Sequence, residues 1–517
     1  MQTLPSSGPA REALRVKGQF WTPQWLAKVM AAWVTADHPS VLFDPAVGPG
    51  TFFAAARDIG FEGDFSGFEL DDTVLAESFR LGLSTLDLRE VEIGDFIGSA
   101  GGASYPAIVS NPPYIRHHRL NATRKAELRR MAQASLGFPL DGRVGLHVYF
   151  LLKCLELLAP SGRLAFLLPA DVCEGVSSAV LWRRLAERFR LDAVLTFTKE
   201  AAPFPAVDTN AMVFLMSRRP PVQQVTWLRV TRPDSEAIQD ALADRVTENG
   251  AVQRLPRGLD ELLTTGFSRP PRLQVTASVP LSAFARVVRG VATGSNEFFF
   301  LTASQVRELG LKRTYFKRAI GRTRDCPNGV LEAADLERLD DDGRPTWLLS
   351  LGSEPQEVLP LALQTYLRHG EQLGLPRCAL IATRNPWYRM ERRTAPALLF
   401  AYLGRRDCRF ILNRADAIPL TGFLCVYPWD DSPGHTKKLW RALNHPDTIA
   451  NLAYVGKSYG GGALKVEPRR LDALEIPEHV LLEVGLKPPH SSEQMTLLEN
   501  SKPTGAKSAI RLTKQKR

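Results

Sequence analysis

No run in this 517-residue chain approaches the ~18 consecutive apolar residues that a membrane-crossing helix needs. The stretch Met1–Arg15 lacks the apolar core of a secretory signal, so export by that route is not expected. Cysteine is scarce. Cys154, Cys173, Cys326, Cys378, Cys408 and Cys425 stand far apart and form no CxxC pair. That spacing disfavours a zinc site and a disulfide framework, and a cytoplasmic location is the expected setting. No internal repeat is visible. With 44% hydrophobic and 23% charged residues, the composition excludes a wholly disordered or collagen-like chain.

What is present in excess is positive charge, and it is unevenly placed. The chain carries a formal +10. Residues 1–220 hold 23 basic and 23 acidic side chains, whereas residues 221–517 hold 42 and 32. The end of the chain, Lys487–Arg517, contributes seven basic against two acidic residues. A basic second half points to a polyanionic partner there, although a solvated surface with a basic end explains the same charge.

The first half alternates strand-length apolar runs with helical patterns. The runs are Val41–Phe43, Phe65–Phe68, Ala107–Val109, Leu164–Leu168, Ala193–Phe197 and Ala211–Met216. Apolar spacing of three and four predicts helices over Trp25–Val34, Val144–Leu158 and Val180–Phe189. Strands separated by helices predict a doubly covered, mainly parallel α/β sheet, with the last two runs as an antiparallel pair at one edge. Pro220 and Pro221 read as a linker. Beyond them, short strand candidates (Val225–Val230, Ala379–Ala382, Leu398–Tyr402, Phe423–Tyr427) predict a mixed α+β domain. The expected division is an arm at 1–15, a catalytic domain at 16–220, a second domain at 221–487 and a disordered basic tail at 488–517.

Candidate site residues gather where strands should end. Val41–Phe43 runs into Asp44-Pro45-Ala46-Val47-Gly48-Pro49-Gly50-Thr51-Phe52, a strand, glycine turn and helix of the nucleotide-cofactor type. The loop has neither the Lys-Ser/Thr of a triphosphate loop nor GxGxxG spacing. Asp44 at its mouth favours a ligand with an ammonium group over a phosphate. Glu69, followed by Leu70, stands 19 residues after Gly50, where an acid can accept from both ribose hydroxyls. Asp71 and Asp72 are the better helix caps. After the third strand, Asp95 is placed to accept from a ring amine, with Phe96 lying on the ring.

The fourth strand ends in Asn111-Pro112-Pro113-Tyr114. The prolines fix φ and remove two donors while keeping their carbonyls. With the side-chain carbonyl of Asn111 they form a rigid acceptor set for an exocyclic amine. Such an amine is a poor nucleophile because its lone pair is delocalised into the ring. Accepting its two hydrogens draws the nitrogen toward tetrahedral geometry. Tyr114 supplies a flat face for a base.

Asp44–Phe52, Glu69, Asp95–Phe96 and Asn111–Tyr114, in this order, resemble the gamma-class adenine-specific DNA methyltransferases of restriction–modification systems, which use S-adenosylmethionine. Gly18–Pro23, with Thr22, resembles their amino-terminal cofactor motif. Ser161–Pro169 resembles their fifth strand. Ala202-Pro203-Phe204-Pro205 resembles the loop whose aromatic residue covers the other face of the flipped base. The resemblance implies a class I methyltransferase core, Rossmann-like with a seven-stranded sheet. It also implies a cofactor site of Thr22, Asp44, Ala46, Gly48, Gly50, Glu69, Leu70, Asp95 and Phe96, no metal, and a base held between Tyr114 and Phe204.

In the second half, Val288–Phe299, Arg384–Tyr388 and Lys457–Ala463 resemble segments of single-chain recognition regions. Arg384, Trp387, Tyr388, Arg389, Arg392 and Arg393 interleave cations with aromatics, a mixture suited to phosphate and base contacts. Arg384, Trp387, Tyr388, Arg389, Lys457 and Tyr459 are therefore the DNA-binding candidates. The expected partner is double-stranded DNA, with no membrane. With no PD…(D/E)xK segment apparent, any nuclease is expected on a separate chain. RNA amino-methylation, release-factor glutamine methylation and a non-catalytic DNA-binding module are the competing readings.

Overall fold

A computed structural model describes residues 21–99, 102–173, 178–204, 210–245, 250–270, 277–326, 329–401, 409–458 and 464–487. The chain forms two compact units, Met1–Arg272 with Lys457–Lys465, and Leu273–Gly456 with Val466–Arg517. Among the described residues no helix is long and apolar enough to cross a membrane.

The first unit is built on one nine-stranded sheet: β1 (Val41–Asp44), β2 (Asp64–Glu69), β3 (Val91–Ile93), β4 (Tyr105–Ser110), β5 (Leu158–Pro169), β6 (Arg190–Phe197), β7 (Ala211–Ser217), β8 (Gln224–Val230) and β9 (Val252–Gly258). The spatial order is 3-2-1-4-5-7-6-8-9. β7 runs antiparallel between β5 and β6, and strands 1–5 are mutually parallel. This is the expected class I methyltransferase core with two strands added.

The apolar runs are continuous because both faces are covered. Leu164, Phe166 and Leu168 of β5 enter one core, and Ala165 and Leu167 enter the other. The first core is closed by α3 (Ala122–Leu136), α4 (Leu146–Leu157), α5 (Ser178–Ala186) and α7 (Leu259–Thr265). The second is closed by α1 (Gln24–Thr35), α2 (Thr51–Asp58) and α6 (Ser235–Leu242).

Two sequence expectations change here. The sheet has nine strands, so the antiparallel pair β6–β7 lies inside it and not at an edge. The first unit runs to Arg272, so the proposed boundary at 220 falls inside it. Pro220 and Pro221 make only a loop between β7 and β8. The reason is packing: Val225–Val230 pairs parallel with β6. Trp227 is fully buried and donates from Nε1 to the Phe267 carbonyl at 2.8 Å. Phe267 in turn packs on Trp182 and Phe214.

The second unit is mixed α+β, as expected. A five-stranded sheet has the order Ala285–Arg289, Phe423–Pro428, Leu398–Ala401, Arg409–Asn413, Val330–Leu331. A four-stranded sheet lies in the same unit. The strand expected at Ala379–Ala382 is absent; Ile381–Thr383 is a single 3-10 turn. Only Ile381 of that run is fully buried, and its neighbours are exposed, so the run cannot present a strand face.

A fragment ending at Pro220 would bare the β6 edge and the Trp182–Phe214 cluster. It is expected to aggregate, whereas one ending at Arg272 should melt cooperatively. Equal solubility and melting of the two fragments would contradict the nine-stranded unit.

Candidate active site

The parallel strands β1 to β4 end at a common edge, the position at which open α/β sheets bind ligands. A cavity of about 450 Å3 opens there. Its walls include Thr22, Ala46, Gly48, Glu69, Leu70, Asp95, Phe96, Asn111 and Pro113, which gathers most of the candidate cofactor residues and two of the catalytic loop. Asp44, Gly50, Pro112, Tyr114 and Phe204 are not among its lining residues.

Asp44 is 1% exposed. Its Oδ1 accepts from Ala46 N at 3.0 Å and from Ser110 Oγ at 3.1 Å. Burial pushes its carboxyl up to about 7, against the two hydrogen bonds. Asp44 therefore braces the loop from behind the cavity wall. Ser110 is the residue before Asn111, so this one carboxyl ties the glycine loop to the catalytic loop.

Glu69 lines the cavity with both oxygens engaged by backbone. Oε2 accepts from Gly48 N at 2.7 Å, and Oε1 accepts from Leu70 N and Asp71 N at 2.9 Å each. With two acceptor sites per oxygen, Oε1 is filled and Oε2 keeps one site for a hydroxyl. Asp71 caps the short helix Asp72–Leu75, as expected. Gly67 permits the close approach of β2: a Cβ there would sit 2.3 Å from the Asp44 carbonyl. At Gly50 (φ +76°) a Cβ would sit 2.6 Å from Leu83 and 3.1 Å from Ser78, so the turn requires glycine there.

Asp95 is half exposed and already engaged. Oδ1 accepts from Ile97 N at 3.2 Å, and Oδ2 pairs with Arg124 at 2.5 Å. Phe96 is 2% exposed and packs among Phe43, Phe68 and Phe150. Below it lies a residue that sequence reasoning missed. Lys153, in the apolar helix α4, is 8% exposed. Its Nζ donates to the carbonyls of Phe96, Ile97 and Ser99 and to Ser99 Oγ. Burial pulls its pKa below the ordinary lysine value. A single lysine inside Leu146–Leu157 was the available signal.

Asn111 Nδ2 donates to Thr22 Oγ1 at 3.2 Å, which joins the catalytic loop to the amino-terminal motif. Gly18, Gln19 and Phe20 of that motif lie outside the described residues. Tyr114 donates from its hydroxyl to the Leu167 carbonyl at 3.1 Å and meets the edge of His147, with ring centroids 5.7 Å apart. Burial raises the Tyr114 pKa well above normal and lowers that of His147 to about 4, so the imidazole is neutral near pH 7. Phe204 is 5% exposed and belongs to the core beneath α1. In this structure it packs as a core residue. Pro205 lies outside the described residues.

The DNA-binding candidates divide differently from expectation. Tyr388 is buried and donates to the Glu354 carbonyl at 2.6 Å. Trp387 packs on Phe298, Phe299 and Tyr388. Tyr388 is core and Trp387 is partly buried against the same cluster, because a flat apolar ring is worth more there than on a solvated loop. Arg384 donates to the carbonyls of Ala292 and Thr293 at 2.8 Å. Arg389 is exposed and, with Arg392, Glu354 and Glu391, lines a cleft of about 760 Å3 in the second unit. The side chain of Lys457 and all of Tyr459 lie outside the described residues. The one group of metal-type side chains among the described residues, His445, Asp447 and His479, belongs to the second unit and not to the cavity.

A sheet of this order with a cavity at its carboxyl edge defines a class I methyltransferase. Residues 8–229 match the family described as N-6 DNA Methylase, and residues 272–508 match the C-terminal domain of Type II methyltransferase M.Eco57I. The first half of the chain thus carries an N-6 DNA methylase domain, and the second half carries a Type II methyltransferase C-terminal domain. The chain is 24% identical to Type II methyltransferase M.AccI of Acinetobacter calcoaceticus, over 92% of this chain and 87% of that one. It is also 24% identical to M.XamI of Xanthomonas campestris pv. amaranthicola, over 89% and 85%. A solved structure of the type IIG restriction endonuclease BpuSI overlays at TM-score 0.46 and 16% identity, over 92% of this chain and 62% of that chain.

S-adenosylmethionine fits the cavity. At Gly48 (φ +56°) and Gly94 a Cβ would meet nothing closer than 4.0 Å, so the backbone stands open to a ligand there. Four carboxylates, Glu69, Asp71, Asp72 and Asp95, face a cofactor that is cationic.

Asp44 binds its proton more readily folded than unfolded, since its pKa rises from 3.8 to about 7. Stability from that proton is complete below the lower value and lost as pH climbs through the higher one. Relative to the native chain, Asp44→Asn should therefore gain melting temperature between pH 4 and 7. A pH-independent difference would contradict a buried, protonated Asp44. Lys153→Met should cost about 1–3 kcal/mol by stranding buried carbonyls, and should weaken cofactor binding by more than it lowers turnover at saturation. Urea unfolding and titration calorimetry check both effects.

Proposed function

We propose that the chain transfers a methyl group to the exocyclic nitrogen of adenine in duplex DNA, taking the target base out of the helix and into the Asn111–Tyr114 loop. The observation that carries this is the shared cavity: Asn111 and Pro113 line the same space as Glu69 and Asp95. The acceptor for the amine thus opens directly onto the cofactor site.

S-adenosylmethionine, when bound, supplies an electrophilic methyl on a sulfonium. The chain's own residues do the rest. Glu69 and the Gly48 backbone fix the cofactor end of the cavity, and Thr22 holds the Asn111 amide. Pro113 O already accepts from Ile115 N at 3.0 Å. The Asn111 side-chain carbonyl and Pro112 O are accordingly the acceptors assigned to the amine. Orientation of this kind contributes on the order of 7–11 kcal/mol. Extruding a base costs a few kcal/mol. Stacking on Tyr114 returns about 1–3 kcal/mol, and its hydroxyl bond to Leu167 fixes the ring plane. A second stacking partner at Phe204 requires that loop to shift from the packing seen here. No metal is assigned a part in the reaction, and a cognate nuclease is proposed as a separate chain.

Asn111→Ala is expected to lower methyl transfer by at least about 100-fold, the scale of losing one placed polar group at a reacting centre, with cofactor affinity within a few-fold of native. Tritiated-methyl transfer to DNA and calorimetry with the cofactor measure the two. Preserved turnover at saturating cofactor, or equal transfer to structured RNA, would sink the reading.

A further inference from the structure

The neutrality of residues 1–220 hides a sharp separation. Arg116–Arg130 holds six basic residues (Arg116, Arg119, Arg124, Lys125, Arg129, Arg130) against one acid, Glu127. The rest of 1–220 holds 17 basic and 22 acidic residues. The basic stretch begins two residues after Tyr114. Ile115 lines the cavity, and the next side chain, Arg116, is exposed.

The stretch then folds into α3. Asn121 caps it, accepting from Arg124 N at 2.8 Å, and Gly137 ends it in a left-handed conformation. Leu128, Ala132 and Leu136, spaced by four, bury one face in the core of the catalytic unit. That leaves Arg129 and Arg130 exposed on the outer side.

A solvated helix normally pairs such cations with acids three or four residues away. This one does not. Glu127 is taken by Arg124, which also holds Asp95. Among the described residues, no carboxylate lies within ion-pair distance of Arg116, Lys125, Arg129 or Arg130. Lys125 and Arg129 are four apart, a like-charge pair that destabilises a free helix. The helix keeps this repulsion on a unit whose other charges are net acidic, and an external polyanion would relieve it.

We propose that Arg116 and the outer face of α3 form a phosphate-binding ridge, by which the catalytic unit itself grips the DNA backbone beside the extruded base. This rests on the function proposed above and goes beyond it, because sequence charge alone places the clamp in the second half. The helical part from Ala122 to Arg130 is roughly 13 Å long at 1.5 Å per residue, about four base-pair steps of B-form DNA. Arg116 meets the phosphates nearest the target nucleotide, and Arg129 and Arg130 meet those further along. The contacts are to backbone, so they position the duplex without reading sequence.

The test uses the full chain and a random-sequence duplex of about 30 base pairs, with binding measured by anisotropy across a salt series. Each lost phosphate contact flattens the log K against log salt slope by about 0.9. Arg129→Gln/Arg130→Gln should flatten it by about 2 and weaken binding roughly tenfold at low salt. Arg116→Gln should flatten it by about 1. Melting temperature and cofactor affinity should stay native. Unchanged slopes in both variants overturn the ridge, and if the native chain still methylates DNA the functional reading survives. A double-stranded RNA of equal length that loses as much affinity in the variants, and binds the native chain as tightly, overturns the assignment to DNA. Native binding to duplex without any methyl transfer counts against the function instead.

Discussion

One buried carboxyl joins the two halves of the chemistry. Asp44 holds Ala46, which shapes the glycine loop, and Ser110, which immediately precedes Asn111. β1 and β4 are neighbours in the sheet, so a single side chain reaches both loops. A carboxyl with almost no solvent contact favours its protonated form. Protonated, it adds a donor to its acceptor capacity without placing bare negative charge in the core. Gly67 completes the joint by letting β2 come against the Asp44 backbone carbonyl, with Glu69 at hydrogen-bond distance from Gly48. The distance between cofactor cradle and amine acceptor thus follows from three strand ends packed without intervening side chains.

The opposite wall is fixed by a second buried polar group. α4 is apolar on nearly every side, as a helix buried in a core must be. Lys153 interrupts it because the turn after β3 presents the carbonyls of Phe96, Ile97 and Ser99 together, and the Ser99 N–H serves only the first of them. An ammonium on a flexible stem can satisfy several at once, whereas an arginine fork would have to match their geometry. Phe96, whose ring lies 4.7 Å from that ammonium, is thereby held as part of the cavity floor. Neither Asp44 nor Lys153 lines the cavity, yet each holds loops that do.

Much of this was legible in the sequence. Strands read as continuous apolar runs, acids at their carboxyl ends and the Asn-Pro-Pro-Tyr turn located the site, because periodicity and turn chemistry are local. The burial of Asp44, the buried lysine and the core position of Phe204 were not legible, since burial depends on which distant elements pack there. Val225–Val230 was read as a strand, but its partner is β6, some thirty residues earlier, and proline pairs mark loops as readily as domain borders. α3 escaped notice because its apolar spacing, Leu128, Ala132, Leu136, is sparse among charges. Its Asn121 cap and Gly137 terminus were the usable signals. Tyr388 misled for the converse reason: an aromatic beside arginines looks like a nucleic-acid surface, and here it is core, with Trp387 partly buried against the same cluster.

The arrangement of charge follows from what one domain must hold at once. S-adenosylmethionine brings positive charge into the cavity, and duplex DNA brings a dense line of negative charge to its mouth. A uniformly basic domain would repel the first, and a uniformly acidic one would repel the second. Here carboxylates gather at the strand ends around the cavity, while cations gather on the ridge that begins at Arg116. The Arg124–Asp95 pair stands at the border between the two fields and neutralises both locally. Interactions between exposed charges fade over roughly 8 Å at physiological salt, so two opposed fields can coexist on one small domain. The net charge of zero over residues 1–220 is then the sum of two specialised surfaces and not the mark of an uncharged one.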